Sequence, residues 1–410
     1  MLIFYKYPVF LLLFILNFNS VLKSEVINLE SILDIAIKKS TASARVTKEM
    51  QDANSDALEI ETLSNPTAEI DVTTLKKNSS KSLNLLLEQD IRVSHLKSRK
   101  LLANEIRKTA LIEEKAKKLE IIHSVTKAYT TYWALQEKEK ILKEQAKFYL
   151  NKKEVIKNSS LEGLIDTTEE KIFDVEILRL KEQLRVLSSL KVEGGNNLLS
   201  MAGIKQKVFS VNKPKYISIP SKNKIIKLSL NEETVIGILK SRKKIANAKL
   251  KVAEEDSKVP AFSPRAQIQY NPDENSTALF LGLKVALPIW DKNKAVYARA
   301  YAEKNMIEKN LNSLNKENFS YLLLRAYEKL LASNTTAENY KNKILPTWHA
   351  IADLLDKKFK NGQTSTLEVF QIKEKIINIE NESIQSYLNF ITSINELESL
   401  LGQRIVRFVE

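Results

Sequence analysis

Two hydrophobic periods take turns along this chain. From 26 to 63, Leu29, Ile32, Leu33, Ala36 and Ile37, then Val46, Met50, Ala53, Ala57 and Ile60, fall at helical spacing. Asn65-Pro66 ends that helix, because the residue before a proline is pushed out of the α region. The period then drops to two. Ala68, Ile70 and Val72 point one way, and Thr67, Glu69, Asp71 and Thr73 the other. A polar stretch from Lys76 to Lys81 turns the chain. The return strand sets Leu83, Leu85, Leu87 and Ile91 against Asn84, Glu88 and Asp90. This predicts a hairpin over about 67–91 with strands about ten residues long. No proline or glycine interrupts the stretch from Arg92 to Lys157. A helix of ~65 residues there would extend ~100 Å. Gly163 breaks it, and a further helix is predicted from about Asp166 to Leu199.

The same order then returns. Gly163 recurs as Gly362 and Gly203 as Gly402, each 199 positions on (362 − 163 and 402 − 203). Ala128-Tyr129 recurs as Ala326-Tyr327, and Leu198-Leu199 as Leu400-Leu401. Only eight glycines occur in the chain and four of them form these two pairs, so the match identifies a tandem repeat. The second copy predicts a helix from about Asn231 to Val259, closed by Pro260 and Pro264. Its hairpin, about 265–287, sets Ala266, Ile268, Tyr270, Leu279, Leu281, Leu283, Val285 and Leu287 on one face. A long helix from about Asp291 to Lys358 and a last one from about Thr366 to Leu401 complete it. The expected organisation is a signal peptide (1–24), repeat 1 (25–203), a Lys-rich linker holding Pro214 and Pro220 (204–224), repeat 2 (225–403) and a tail (404–410).

Composition narrows the possibilities. The apolar run Val9 to Leu16, preceded by Lys6 and followed by Asn19, Ser20 and Ser24, has the layout of a secretory signal. With no cysteine there is neither a disulfide nor a thiolate metal site. The net charge of +14 comes from 64 basic and 50 acidic residues interleaved along helices, as in Glu137-Lys138-Glu139-Lys140. That mixture is a solvated helix face and excludes nucleic acid as the partner. His95, His123 and His349 lack ligand spacing, and no phosphate loop or nucleophile elbow occurs, so no catalytic, cofactor or metal residues are assigned. Tyr129, Tyr132 and Trp133 read as helix packing.

Strands of this length, apolar on one face and polar on the other, fit an outer-membrane β-barrel. Open edges cannot face lipid, and four strands are too few to close a barrel, so the barrel must be shared between chains. The expected lipid face is Ala68, Ile70, Val72, Leu83, Leu85, Leu87, Ala266, Ile268, Tyr270, Leu279, Leu281, Leu283 and Val285. By helix rise, the turns near Gly163 and Gly362 lie roughly 100 Å away and form the far mouth.

Several segments resemble the outer membrane efflux protein (TolC-like) family, the exit ducts of tripartite pumps and type I secretion systems. They are Asn65-Pro66, the run Leu283-Lys284-Val285-Ala286-Leu287-Pro288-Ile289-Trp290-Asp291, and the ending Leu397-Glu398-Ser399-Leu400-Leu401-Gly402. The segment Lys358 to Gln371 resembles the family's Tyr-x-x-Gly-x-x-Ser-x-x-Asp-Val-Leu turn, with Phe359 where members often carry Tyr. The resemblance covers about residues 26–405. It implies a mainly α fold with a small β part: a long α-helical barrel of tandem repeats, with four strands per chain contributing to a trimeric twelve-stranded transmembrane β-barrel. It further implies an outer-membrane location with helices in the periplasm. The implied partners are a periplasmic adaptor (membrane fusion protein), an inner-membrane pump of resistance-nodulation-division or ABC type, and outer-membrane lipid. Around the constriction it implicates Phe359, Thr364, Glu368 and Gln371, with Gly163 and Gly362 at the docking tips. Glu368 takes the place of an acid lining the gate, Gln371 replaces a second acid, and a threefold axis would gather the three Glu368 carboxylates into a ring. The alternative reading is a periplasmic coiled-coil adaptor or structural rod, which predicts one helical hairpin rather than two copies each holding its own β-hairpin.

Overall fold

The computed structural model describes residues 25–73, 81–161, 167–205, 209–216, 218–287, 289, 292–361 and 363–409. The proposed signal peptide and both tip glycines, Gly163 and Gly362, lie outside the described residues. The first repeat runs β1 (Glu25–Ile27), α1 (Leu29–Lys39), α2 (Thr41–Glu61), β2 (Thr67–Thr73), β3 (Ser82–Glu88), α3 (Ser98–Leu161) and α4 (Thr167–Ala202). Two short strands follow, β4 (Phe209–Val211) and β5 (Lys215–Tyr216). The second half of the chain has α5 (Lys222–Leu228), α6 (Val235–Lys258), β6 (Phe262–Asn271), β7 (Ser276–Val285), α7 (Lys294–Ser313), α8 (Lys316–Asn339), α9 (Leu345–Lys360), α10 (Thr366–Leu401) and β8 (Phe408–Val409). No described helix is long and apolar enough to cross a membrane.

The two hairpins form one antiparallel sheet in the order β2-β3-β6-β7. The α3 helix, 64 residues and so ~96 Å long, packs against α2, α4, α6 and α10. The main hydrophobic core sits along these helices around the short strands. It gathers Tyr129, Tyr132 and Trp133 of α3, Leu198 of α4, Tyr327 of α8, and Tyr387 and Phe390 of α10. Parallel β1–β4 and antiparallel β5–β8 wrap this core as a belt. Tyrosine hydroxyls tie belt to helices. Tyr129 donates to the Ile27 carbonyl at 3.0 Å, Tyr132 to that of Phe209 at 3.1 Å, and Tyr387 to that of Pro214. Tyr129 and Tyr132, read from sequence as helix packing, thus carry a second duty, because a buried carbonyl left without a donor costs ~1–3 kcal/mol. At the tail, Glu398, 3% exposed, accepts the backbone N–H groups of Ile405 and Val406 and meets His123 at 2.9 Å. Arg404 grips Glu30 with both terminal nitrogens. Burial pushes the Glu30 carboxyl upward, but the hydrogen bond and charge of Arg404 outweigh it and hold the group below the ordinary glutamate range.

Two expectations about helix continuity change. The first helical region is two helices, because Ser40, only 2% exposed, ends α1 and caps α2 by accepting the Ser43 N–H at 3.0 Å. The helix expected from about Asn231 to Val259 is α6, capped by Thr234, while the separate α5 begins within the stretch expected to be linker. The long helix expected from about Asp291 to Lys358 breaks at Leu314-Asn315, where Asn315 caps Asn318 and the Asn318 amide donates to the Ser313 carbonyl at 2.9 Å. Side-chain amides compete there with the helix's own hydrogen bonds. A π-helical turn, Tyr340–Ile344, interrupts it again.

The repeated glycines share one task. Gly203 (φ +71) and Gly402 (φ +68) stand in left-handed conformation just after α4 and α10. Each packs on the junction between the first two helices of its own repeat. A Cβ at Gly203 would lie 3.0 Å from the Lys39 carbonyl, and one at Gly402 would overlap the Glu233 carbonyl. Left-handed backbone costs a residue with a Cβ about 1–2 kcal/mol. Gly203→Ala is therefore expected to destabilise by about that amount, and Gly402→Ala by more, because the overlap adds to it. Thermal unfolding followed by circular dichroism checks the order; equal effects would refute the packing argument.

Candidate functional site

The sheet is inside out for a water-soluble protein. The register aligns Ile70, Leu85, Ile268 and Leu279 in one cross-strand row. Ala68, Leu87, Ala266 and Leu281 form a second, and Val72, Leu83 and Tyr270, ending at Thr277, a third. Successive residues alternate faces, so these rows share one side. Along β3 that side is the open one: Leu83, Leu85 and Leu87 are exposed, whereas Ser82, Asn84, Leu86 and Glu88 are partly covered. Elsewhere Val72 is 68% exposed and Leu281 79%, with Leu283 and Val285 exposed beside them. The opposite side is mainly polar. Lys284 pairs with Glu88 at 2.7 Å across the sheet, and the Ser263 hydroxyl donates to Asp90. Leu86 and Phe280 depart from the pattern, flanking Gln267 in one cross-strand row of the polar side. Within one chain β2 and β7 each have a single neighbour, so each leaves an open edge.

The other candidate region lies at the far end of the helices. Ser365 caps α10 by accepting the Glu368 N–H at 3.2 Å, and the Thr364 hydroxyl donates to the Glu368 carboxylate. Glu368 is thus an exposed acid in the first helical turn, where the helix dipole favours it. Gln371, one turn on, is exposed, and Phe359, near the end of α9, is half-buried. The structure therefore joins Thr364 and Glu368 directly and sets Gln371 beyond them on the same helix.

Residues that sequence reasoning passed over hold this end together. Tyr149 of α3 is fully buried and stacks on Phe370 of α10, with ring centroids 5.4 Å apart and planes 14° from parallel. Burial raises its phenol pKa to about 12, while the Gln145 amide donates to its oxygen at 3.2 Å. Arg179 of α4 bridges Glu176 on its own helix and Glu374 on α10. Lys373 lies 5.0 Å over the Phe148 ring and 3.4 Å from Asp356. These contacts clamp the last helix of the second repeat to the helix pair of the first. Only the aromatic character of Tyr149 and Phe370 was visible in sequence, not their pairing.

No protein-family model and no curated protein matches the chain. Solved structures do. The outer membrane protein VceC of Vibrio cholerae superposes with a TM-score of 0.71 at 14% identity, over 92% of this chain and 96% of that one. The CmeC outer membrane channel of Campylobacter jejuni gives 0.74 at 14% identity, over 91% and 85%. CusC, a structure described in terms of transmembrane channel formation, gives 0.73 at 14% identity, over 95% and 96%. The chain has the fold of the TolC-like outer-membrane channels.

Removing the Tyr149 ring empties a fully buried site between α3 and α10. Tyr149→Ala is expected to cost about 3–5 kcal/mol locally. Amide hydrogen exchange should therefore accelerate at the start of α10 and leave the Tyr387 region unchanged. Uniform acceleration would refute a local clamp.

Proposed function

We propose that this protein is the outer-membrane exit duct of a tripartite efflux pump or type I secretion system. In this reading three chains combine their sheets into one barrel in the outer membrane, and their helices extend into the periplasm. There they meet a periplasmic adaptor (membrane fusion protein) and an inner-membrane pump of resistance-nodulation-division or ABC type. The duct conducts cargo passively and performs no chemistry. The observation that carries the reading is the inverted alternation of β3, whose leucines are open while its polar residues are partly covered. Hydrocarbon is the solvent that accepts such a face. The open edges of β2 and β7 support oligomerisation, since unpaired backbone groups in lipid cost several kcal/mol each. The fold shared with outer-membrane channels supports the location.

Crosslinking of the detergent-purified protein should give a trimer; a stable, lipid-free monomer would sink the proposal. In the same preparation, Leu85→Arg or Leu281→Arg should cost about 2–4 kcal/mol if those rows cross the bilayer midplane. Asn84→Arg, on the opposite face, should be better tolerated. Equal losses on both faces would argue against a membrane barrel.

We further propose, from the same trimer, that Glu368 lines the periplasmic constriction. Three carboxylates around one axis would favour cations and hold a multivalent one. Conductance across planar bilayers tests this, with Glu368→Gln expected to lower cation preference and block by multivalent cations. Unchanged selectivity would leave Glu368 as a helix-start acid held by Thr364.

A further inference from the structure

One surface pattern occurs twice where the chain leaves the sheet for the long helices. After β3, Leu96 is 69% exposed and adjoins the exposed Lys97 and Lys100 at the start of α3. After β7, Leu287 and Ile289 are 68% and 61% exposed and adjoin the exposed Lys292 and Lys294 at the start of α7. Leu287 keeps the sequence alternation of Leu281, Leu283 and Val285 two residues past the end of β7 and is exposed as they are. Several described acids nearby are already engaged, although Glu61 also feels the charge of Lys100. Asp256 takes Arg99 at 2.7 Å and Arg92 at 3.6 Å, Glu254 takes Lys258, Glu61 takes Arg107, and Glu255 accepts the Ser98 hydroxyl. Among the described residues, none of the four lysines has a carboxylate at ion-pair distance. Below them on α7, Tyr297 and Tyr301 stack with ring centroids 6.3 Å apart, both exposed. Aliphatic, then cationic, then aromatic side chains in that order suit the boundary between hydrocarbon and water.

We propose that Lys97, Lys100, Lys292 and Lys294 form a collar that binds the phosphate headgroups of anionic phospholipids in the periplasmic leaflet, with Leu96, Leu287 and Ile289 seated among the acyl chains. The proposal rests on the membrane reading of the sheet. Charge selects the ligand: a lysine near an anionic lipid surface gains about fivefold in affinity, and a zwitterionic surface offers no such gain. The apolar neighbours select lipid over free phosphate. They have nothing to bury against a small hydrated anion, whereas a phospholipid supplies headgroup and chains together. Two such patches per chain would ring the barrel in an assembly and fix its depth in the bilayer.

The test uses the full-length protein in mild non-ionic detergent. It is titrated separately with phosphatidylglycerol, phosphatidylcholine and inorganic phosphate, and bound lipid is counted by native mass spectrometry. The natural protein is expected to prefer phosphatidylglycerol over phosphatidylcholine by about tenfold or more, and salt should erode the preference. The combined variant Lys97→Gln, Lys100→Gln, Lys292→Gln and Lys294→Gln should bind both lipids alike and remain folded, because all four side chains are exposed. Replacement of the same four by arginine should restore the preference. An unchanged preference in the glutamine variant overturns the collar. So does displacement of phosphatidylglycerol by inorganic phosphate at equal concentration, which would mark a simple anion site. Failure of the underlying reading looks different: the natural protein would then stay lipid-free with every lipid. A trimer that binds both lipids equally would retain the duct and remove only the collar.

Discussion

The structure turns on the two open edges of a four-stranded sheet whose exposed face is apolar. Strands β3 and β6 have neighbours on both sides, while β2 and β7 each leave one flank open. Water would satisfy those flanks, but water would not tolerate rows such as Ile70, Leu85, Ile268 and Leu279. Hydrocarbon would tolerate the rows and not the flanks. In the proposed assembly, pairing β7 of one chain with β2 of the next would satisfy both demands and make the single chain a fragment of a larger closed barrel. The tandem repeat serves the same end by supplying two hairpins at matching positions, one per copy.

A second constraint is length. A helix of ~96 Å has far more surface than a small domain can cover, so the chain concentrates its packing at defined heights. The main core lies behind the belt strands, where Tyr129, Tyr132 and Tyr387 spend their hydroxyls on belt carbonyls. The belt is built from both ends of the described chain and its middle, with β1 on β4 and β5 on β8. Glu398 and the Glu30–Arg404 pair lock the closing segment onto it. A smaller core around Tyr149, Ile177 and Leu180 holds the helices nearer their far end. Exposed apolar residues between these cores, such as Val186 and Leu190 on α4, are surfaces that an assembly has available to cover.

The repeat also shows how symmetry at the level of sequence becomes asymmetry at the tip. Gly203 and Gly402 perform equivalent caps against equivalent junctions. The helices that lead to the tips differ, however. The α3 helix runs unbroken, whereas its counterpart is split into α7, α8 and α9 by an asparagine cap and a π-helical turn. The second copy also carries Glu368. The Arg179–Glu374 pair and the Tyr149–Phe370 stack fasten its α10 to the unbroken helix pair of the first copy.

Much of this was legible in the sequence, for a physical reason. A change of hydrophobic period from 3.6 to 2 and back marks helices and strands directly, and Leu83, Leu85 and Leu87 announced both their strand and its face. Scarce glycines announced the repeat, because only they accept the left-handed cap that each copy needs. Glu368 was legible as a helix-start acid, since Ser365 three residues earlier is a capping signal. The belt strands were not legible, because two or three residues are too few to show a period and their stability comes from the core behind them. Nor was the break at Leu314-Asn315, which uses neither proline nor glycine. Contacts such as Arg179 with Glu374, 195 positions apart, belong to the tertiary structure alone. Local sequence determines which face of an element is apolar; only the folded chain decides which faces meet and which edges remain open.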